Sequence, residues 1–383
     1  MMRILTTGDV RMAPGISAEA GPILADLGAK RPLVVVDPVV HQLGLADKML
    51  SGLRDAGMTP QIFSAFSPDP TDAEAMDAVQ IARSVDADCV VGIGGGSAMD
   101  VAKAVALLSV QTDSLRALSV PRIVDLPALP ILCVPTTAGT GSEVTRAAVI
   151  TDATTHEKLL LLGSSLQPKV ALLDVELTLS CPYRVTVDSG LDALSHALEA
   201  LVNRNATPYS DGLATQAMQL IGKSLETAAR VPGDHAARSD MLLGACLAGM
   251  AVSHTSTALI HGMSRPIGAA FHVPHGMSNA MLMPLVTEWS AVSAPQAYGR
   301  AAKAMGLAED PAALIDALKV LNARLEVPSL ASLGISQETF RAAIPEMARQ
   351  AIASGTPDNN LRRADEAQIS DLYLTFLKND AIS

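Results

Sequence analysis

A short apolar stretch that runs directly into glycines limits the possible folds of this sequence more than any other feature. The stretch CVVGIGGG, residues 89–96, has the length and the β-branched content of a buried strand. Residues 97–109, SAMDVAKAVALLS, follow it with the spacing of a helix. A strand that ends in glycine and leads straight into a helix is typical of a parallel sheet whose strands are connected by helices.

The same alternation extends over the first half of the chain. The other apolar runs with the pattern of strands are RPLVVVD (31–37), PQIFSAF (60–66) and LPILCVP (129–135). Helical patterns lie at 42–56, which is amphipathic, and at 71–86, after the turn sequence SPDPT. Short extended segments follow at 147–152, 158–163 and 168–174. We therefore predict a parallel sheet covered by helices on both faces.

The second half has a different pattern. Strand signals fade after about Cys181-Pro182, and long segments rich in Ala and Leu take over. The segments with helical spacing are 189–202, 207–230, 240–253, 295–305, 311–325 and 337–354. The sequence therefore predicts two domains. Residues 1–180 form an α/β domain with a Rossmann-like parallel sheet for dinucleotide binding, and residues 181–383 form an all-α domain that binds metal and substrate.

The composition excludes several classes of protein. Hydrophobic residues make up 49% of the 383 residues and charged residues 17%, as in a folded globular chain. The net charge of −11 and the ten aromatic residues (five Phe, four Tyr, one Trp) argue against nucleic acid as a partner. No two cysteines form a C-x-x-C pair, and the N-terminal residues lack the apolar core of a signal peptide. We expect a cytoplasmic protein with reduced thiols.

One uncharged segment, from Met241 to Ser264, is long enough to cross a bilayer. Its second half contains Ser253, His254 and His261, whose polar side chains would be costly in lipid. We therefore predict a buried helix of the helical domain and no association with a membrane.

The glycine run has the position of an anion-binding loop. Backbone N–H groups between a strand and a helix can hold a phosphate, and Gly94, Gly95 and Gly96 allow a ligand to approach closely. Ser97 and Asp100 have the spacing of a capping box. Glycine also ends strands for purely steric reasons, so the run alone leaves both interpretations open. It is not G-x-G-x-x-G, and it follows the third predicted strand, so it differs from the usual dinucleotide motif.

A second polar loop strengthens the phosphate interpretation. PTTAGTGSE, residues 135–143, follows the next predicted strand, and neighbouring strand ends in a parallel sheet form a ligand crevice at their carboxyl edge. Asp37, directly after the run VVV, could accept a hydrogen bond from a ribose hydroxyl and repel a 2′-phosphate. An ordinary turn before Pro38 is the alternative.

The histidines are concentrated in the helical half, where four of the eight lie within 22 consecutive residues. Upstream of them, Asp192 and His196 are spaced i, i+4, which alone is more typical of a solvated helix face. His261 and His275 each precede a glycine, and Pro266 between them predicts a break in the helix. One carboxylate and three imidazoles make a ligand set that suits Fe²⁺, Zn²⁺ or a similar divalent ion.

Taken together, these motifs resemble the iron-containing (group III) alcohol dehydrogenase family, within the dehydroquinate-synthase-like fold. The resemblance covers essentially the whole chain, and the segments that carry it are VVVD, SPDPT, GIGGGSAMDVAK, VPTTAGTGSEVT, the lysine of EKL, SGLDALSHALEA, HGMSRPIGAAFHVPHGMSNA and ADEAQISDLYLTFL. It implies hydride transfer between a nicotinamide cofactor and a small primary alcohol or aldehyde. It also implies a metal ion, Fe²⁺ first and Zn²⁺ or another divalent ion as the alternative.

The resemblance assigns both binding sites to residues of this chain. The implied metal ligands are Asp192, His196, His261 and His275. The implied cofactor-binding residues are Asp37, Asp69, Gly94, Gly95, Gly96, Ser97, Asp100, Thr136, Thr137, Thr140 and Lys158. Asp37 would favour NAD(H) over NADP(H).

Three positions depart from the pattern of the family. Arg265 stands where many members carry a histidine close to the nicotinamide and the substrate, and arginine stays protonated, so it cannot act as a general base. We expect that Arg265 binds an anionic group of the substrate, or that protons leave through His272, the cofactor ribose or water; a structural ion pair is the alternative role for Arg265. Asp69 replaces the usual Asn of P-N-P-T, and Ala147 stands where some relatives have Asn near the ribose.

Other functions fit parts of the same pattern. Dehydroquinate-synthase-like lyases need more basic residues near these motifs, and maleylacetate-reductase-like enzymes typically lack the metal ligands. From another class, a metal-dependent hydrolase would use the histidines without a nicotinamide cofactor. We expect the dehydrogenase, acting on a small molecule as a homodimer or larger homo-oligomer, as is common in the family.

Overall fold

The computed structural model of the chain describes residues 8–380 together with Ile4 and Thr6. The described chain divides into two compact units, and the boundary falls between Cys181 and Pro182. None of the four cysteines, all of which the structure describes, forms a disulfide bond.

The first unit combines strands and helices. Its strands are β1 (Asp9–Met12), β2 (Pro32–Val36), β3 (Gln61–Phe63), β4 (Cys89–Gly94), β5 (Ile131–Pro135), β6 (Ala147–Thr151), β7 (Lys158–Leu162) and β8 (Val170–Leu173). Its helices are α1 (Ala20–Asp26), α2 (Pro38–Gln42), α3 (Asp47–Asp55), α4 (Asp72–Ser84), α5 (Gly96–Leu108) and α6 (Leu115–Leu118). Six strands form one parallel sheet in the order β1-β8-β5-β4-β2-β3, whereas β6 and β7 form an antiparallel pair.

Different helices bury the two faces of this sheet. In β2, Leu33 and Val35 pack in a cluster with α4 and α5, whereas Val34 and Val36 pack in a cluster with α1 and α3. Successive side chains of a strand point to opposite faces, so a strand without polar residues requires cover on both sides. Burial of each such side chain contributes about 1.5–3 kcal/mol.

The edge strand β1 was not predicted from the sequence. Asp9–Met12 is mostly exposed and has no apolar run, so its only signal is its pairing with β8, which lies far away in the chain. Because of this additional strand, the glycine run follows the fourth strand and not the third.

The second unit contains helices and no named strand among its described residues. Its helices are α7 (Tyr183–Leu201), α8 (Pro208–Arg230), α9 (His235–Thr255), α10 (Leu259–Phe271), α11 (His275–Ala291), α12 (Pro295–Ala304), α13 (Pro311–Arg324), α14 (Gln337–Ala353) and α15 (Glu366–Asp380). Local sequence defines several of their ends; in α8, Thr207 and Ser210 form a capping box around Pro208 at the first turn. The predicted combination of a parallel α/β part and an all-α part is therefore confirmed.

The predicted helix break at Pro266 is wrong. Helix α10 continues through Pro266 and ends at Phe271. Proline removes the one hydrogen bond that its own N–H would donate to Gly262, but the neighbouring bonds can hold the helix together. The helix ends where His272 adopts a left-handed conformation with φ of 56°, two residues before Pro274.

The uncharged segment 241–264 forms the end of α9 and the beginning of α10, with Met241, Leu242 and Cys246 buried. Among the described residues, no single helix is long and apolar enough to cross a membrane. Helices α9 and α10 meet that criterion only when they are taken together, and a bend of 104° separates them.

Candidate active site

Three helices of the second unit bring the four predicted metal ligands together. Asp192 and His196 lie on α7, His261 lies on α10, and His275 is the first residue of α11. Oδ1 of Asp192 is 3.5 Å from Nε2 of His261 and 3.6 Å from Nε2 of His275. The rings of His196 and His261 stack with their centroids 4.6 Å apart. One carboxylate oxygen and the imidazole nitrogens of His261 and His275 therefore lie within 4.8 Å of one another, and the ring of His196 packs beside them.

The spacing of these atoms fits a divalent cation. Metal–ligand bonds of about 2.1 Å place the ligand atoms of a tetrahedral site roughly 3.4 Å apart, close to both distances from Asp192. Nδ1 of His196 lies 3.9 Å from Oδ2 of Asp192, and this buried atom has no hydrogen-bond partner among the described residues. Because a buried polar atom without a partner is costly, a metal ligand is a natural role for this ring.

Glu199, which was not predicted as a site residue, orients His261. Its Oε2 accepts hydrogen bonds from Nδ1 of His261 at 2.7 Å and from the backbone N–H of Ala258 at 2.8 Å, and its Oε1 accepts from the backbone N–H of Ile260. An ionised carboxylate can only accept, so Nδ1 of His261 carries a proton, and Nε2 is the nitrogen that faces Asp192 and a metal ion. Glu199 lies one turn after His196 on α7, and this spacing could have identified it as a site residue.

Two buried carboxylates set the electrostatics of this site. Burial alone would raise the pKa of Asp192, but the nearby rings of His196 and His275 and the hydrogen bond with His261 hold it well below its usual range. Burial likewise opposes ionisation of Glu199, and His261 together with backbone N–H groups lowers its pKa. Burial lowers the pKa of His196 to about 4, so this ring is neutral at pH 7. The site therefore holds two buried negative charges and favours a cation between them.

Asn279 is the second residue of the site that was not predicted. It is fully buried on α11, one turn after His275. Its Nδ2 donates to Oδ1 of Asp192 at 2.7 Å and lies 3.2 and 3.3 Å from Nε2 of His261 and Nε2 of His275. One amide therefore contacts three of the four predicted ligands. Its i, i+4 spacing from His275 could have identified it.

Arg265 lies one turn after His261 on α10, and the residue as a whole is exposed. It donates to Oγ1 of Thr257 at 3.3 Å, and no carboxylate within the described part of the chain forms an ion pair with it. The structural ion pair that was the alternative for Arg265 is thus not formed. His272, the other predicted catalytic residue, is exposed at the end of α10.

In the first unit, the glycine run and the second polar loop lie against each other. A side chain at Gly96 would come within 2.9 Å of Cγ2 of Thr140, and a side chain at Gly94 would come within 2.6 Å of Cβ of Asp37. Gly94 also has a φ of 148°, which other residues rarely adopt. Only glycine allows this close approach of the strand ends, which the sequence predicted for a ligand crevice.

The predicted capping box of Ser97 and Asp100 is wrong, because α5 begins at Gly96 and Ser97 already lies inside its first turn. Oγ of Ser97 donates to the carbonyl of Pro68 at 2.6 Å. Asp100 is turned towards residues 142–149, where both of its oxygens accept hydrogen bonds.

The other predicted cofactor residues lie around the same strand ends. Asp37 caps α2, since its Oδ1 accepts from the backbone N–H groups of Val39 and Val40. Thr136 is buried after β5, and Thr137 and Thr140 are half-buried. Lys158 and Asp69 form an ion pair, with Nζ 2.7 Å from Oδ1, and both side chains are largely exposed.

Both units match one protein family. Residues 7–175 match the family model for iron-containing alcohol dehydrogenase, and residues 186–377 match the C-terminal model of the Fe-containing alcohol dehydrogenase family. The chain therefore belongs to the iron-containing alcohol dehydrogenase family, whose members are oxidoreductases. The predicted family and the predicted enzyme class are confirmed.

Similar proteins differ in the substrates for which they are named. The chain is 37% identical over 348 residues to the probable alcohol dehydrogenase EutG of Salmonella typhimurium, which covers 90% of this chain and 87% of that protein. It resembles the crystal structure of a 1,3-propanediol oxidoreductase with a TM-score of 0.93 and 30% identity, over 98% of this chain and 100% of the other. It also resembles the sulfoacetaldehyde reductase from Bifidobacterium kashiwanohense in complex with NAD⁺, with a TM-score of 0.90 and 27% identity, over 98% and 99% of the two chains.

Proposed function

We propose that this chain is a metal-dependent, NAD(H)-linked alcohol dehydrogenase and aldehyde reductase that acts on a small primary alcohol or aldehyde. The observation that carries this proposal is the convergence of Asp192, His261 and His275, whose ligand atoms lie within 4.8 Å of one another. When bound, a divalent ion polarises the substrate oxygen and the nicotinamide exchanges hydride with the substrate carbon.

Asp192, His196, His261 and His275 are the proposed ligands, and their neighbours prepare them for this role. Glu199 keeps the proton of His261 on Nδ1, and Asn279 holds the carboxylate of Asp192 by a hydrogen bond. A mixed set of oxygen and nitrogen donors suits Fe²⁺, and it also suits Zn²⁺.

We propose that the two polar loops of the first unit bind NAD(H). The N-terminus of α5 and the glycines before it supply backbone N–H groups for phosphate. The residues proposed to touch the cofactor are Asp37, Asp69, Gly94, Gly95, Gly96, Ser97, Thr136, Thr137, Thr140 and Lys158. Asp37 uses only Oδ1 to cap α2, so Oδ2 can accept from a ribose hydroxyl, and its charge disfavours a 2′-phosphate. The NAD⁺ complex of the similar sulfoacetaldehyde reductase supports this preference.

We further propose that the substrate carries an anionic group, which Arg265 binds. Its guanidinium is permanently charged and forms no ion pair with a carboxylate among the described residues. The similarity to a reductase named for sulfoacetaldehyde, an aldehyde with a sulfonate group, supports this substrate class. His272 is the proposed route for the proton.

The test is anaerobic oxidation of NADH by the Fe²⁺-reconstituted protein and by the metal-stripped protein, with propanal and succinic semialdehyde in parallel. We expect turnover only with metal, and faster turnover of the acidic aldehyde. If no aldehyde supports oxidation of NADH with any divalent metal, the proposed function is wrong.

The role of Arg265 is tested separately with Arg265→Gln. Loss of a charged hydrogen bond should lower kcat/KM for succinic semialdehyde about tenfold or more and leave propanal within about twofold. Arg341→Gln, which removes an exposed arginine from α14 of the same unit, is the matched control. Equal losses with both aldehydes would reduce Arg265 to a structural residue.

A further inference from the structure

Residues 142–147, which begin at the end of the second polar loop, are attached to α5 by a fully buried lysine. Nζ of Lys103 donates to Oγ of Ser142 at 2.7 Å, to Oγ1 of Thr145 at 3.1 Å and to the carbonyl of Ala147 at 2.8 Å. The side chain of Lys103 has no exposed surface. All three N–H groups of its ammonium are therefore used within the protein.

Asp100 attaches the same segment from one turn earlier on α5. Its Oδ1 accepts from Oγ of Ser142 at 2.7 Å, and its Oδ2 accepts from the backbone N–H of Val149 at 2.9 Å. Oδ1 also lies 3.9 Å from Nζ of Lys103. We call these two side chains the α5 clamp. It contacts residues 142–149 through five hydrogen bonds.

Burial of a lysine side chain is unfavourable in free energy because its charge must be desolvated. Burial lowers the pKa of Lys103, and the negative charge of Asp100 opposes that change. An apolar side chain of similar size would fill the same volume without the cost of desolvating a charge. The ammonium instead donates to three oxygens in a segment about forty positions further along the chain. We infer that the role of Lys103 is to hold that segment in position.

The clamp is linked to the glycine run through one residue of the second loop. The backbone N–H of Ser142, whose side chain both clamp residues hold, donates to Oγ1 of Thr140 at 3.2 Å. Thr140 in turn lies against Gly96, where a side chain would meet its Cγ2 at 2.9 Å. A shift of Ser142 would therefore change the gap between the two polar loops.

We propose that Asp100 and Lys103 are positioning residues that set the distance between the two cofactor-binding loops. This inference rests on the proposed function, in which those loops bind NAD(H). Asp100 then acts through Ser142 and does not touch the cofactor itself.

The experiment compares the wild type with Lys103→Met, which keeps an unbranched side chain one atom shorter and removes the ammonium. The dissociation constant for NADH is measured by fluorescence titration, and hydrogen exchange is followed in residues 136–149. We expect the dissociation constant to rise about tenfold or more, because small displacements of positioning groups have effects of this size. We also expect faster exchange in that segment, a higher KM for NADH, and a kcat at saturating NADH within about twofold of the wild type.

A matched control separates positioning from general destabilisation. Leu53 lies on α3, which packs on the face of the sheet opposite to α5, and Leu53→Ala creates a cavity in that part of the core. It should lower the melting temperature without weakening NADH binding. Thr145→Val, which removes one acceptor of Lys103, is the milder variant to use if Lys103→Met does not fold.

The outcomes of the two proposals are distinguishable. If the wild type binds NADH and Lys103→Met binds it equally well with unchanged exchange, the clamp does not position the loops. The same conclusion follows if Leu53→Ala weakens binding as much as Lys103→Met. If the wild type itself does not bind NADH, the proposed cofactor is wrong. The clamp is then tested by hydrogen exchange alone, and equal exchange of residues 136–149 in the wild type and Lys103→Met would show that it does not hold this segment.

Discussion

Replacement of Glu199 by Gln tests how the protonation of one histidine controls the metal site. In the wild type, Oε1 accepts from the backbone N–H groups of Ile260 and His261, and Oε2 accepts from Ala258 and from Nδ1 of His261. An amide has one acceptor oxygen and one donor nitrogen, so the backbone N–H groups of Ile260 and His261 lose their acceptor in one orientation. In the other, the N–H of Ala258 loses it, and Nδ1 of His261 can become an acceptor. Each buried donor left unsatisfied costs about 1–3 kcal/mol, so one or two of them predict a loss of stability of about 1–6 kcal/mol.

The effect on metal binding depends on which end of the amide faces His261. With the NH₂ group towards Nδ1, that nitrogen must become the acceptor, and its proton moves to Nε2, which then cannot bind a metal ion. The variant also removes a negative charge close to the cation. Loss of such a partner typically lowers metal affinity 10- to 100-fold, and we expect a decrease in that range for Glu199→Gln.

The assay is competition for Co²⁺ or Zn²⁺ between the protein and a chromophoric chelator, combined with urea unfolding of the metal-free protein. Glu226→Gln is the control, since it removes a carboxylate from the surface of α8 in the same unit. A dissociation constant for Glu199→Gln within twofold of the wild type, measured on folded protein, would refute the reasoning about the histidine tautomer.

Two further predictions use the same kind of measurement. Asn279→Leu removes the donor to Oδ1 of Asp192, and we expect metal affinity to fall about tenfold, with an altered absorption spectrum of the Co²⁺ form; an unchanged affinity and spectrum would show that the amide does not orient the ligands. Burial raises the pKa of Glu143 from the ordinary 4.5 to about 7. The folded protein then holds a proton that the unfolded chain has released, so the free energy of unfolding should decrease as pH rises from 4.5 to 7. This decrease is at most about 3 kcal/mol, and Glu143→Gln should remove it. Urea unfolding at pH 5 and pH 8 measures the effect, and an equally steep decrease in the variant would contradict the prediction.

Local sequence patterns identified the parts of this fold that depend on local chemistry. The strands around Val34, Val91 and Leu132 were predictable because they are buried on both faces and therefore contain almost no polar residues. The exposed strand β1 has no such signal and is held only by its pairing with β8. Pro266 indicated a helix end, but the end lies at His272, whose left-handed backbone comes two residues before Pro274.

The site was only partly predictable for a related reason. Asp192 and His196 are visible as an i, i+4 pair, and the resemblance to a known family joined them to His261 and His275. Glu199 and Asn279 act through contacts between helices that are far apart in the chain, so their roles depend on tertiary packing. Asp100 has the spacing of a capping residue, yet its partners lie more than forty positions later.

The proposed ligands belong to three different helices, and this arrangement has a consequence for the lifetime of the protein. A cation held by Asp192, His261 and His275 acts as a cross-link between α7, α10 and α11, and it binds the unfolded chain far more weakly. At a free metal concentration one hundred times the dissociation constant, metal binding raises the free energy of unfolding by about 2.7 kcal/mol. The unfolded population then falls roughly a hundredfold. Metal supply in the cell would then determine how long each molecule survives proteolysis, so that scarcity lowers the abundance of the enzyme as well as its loading.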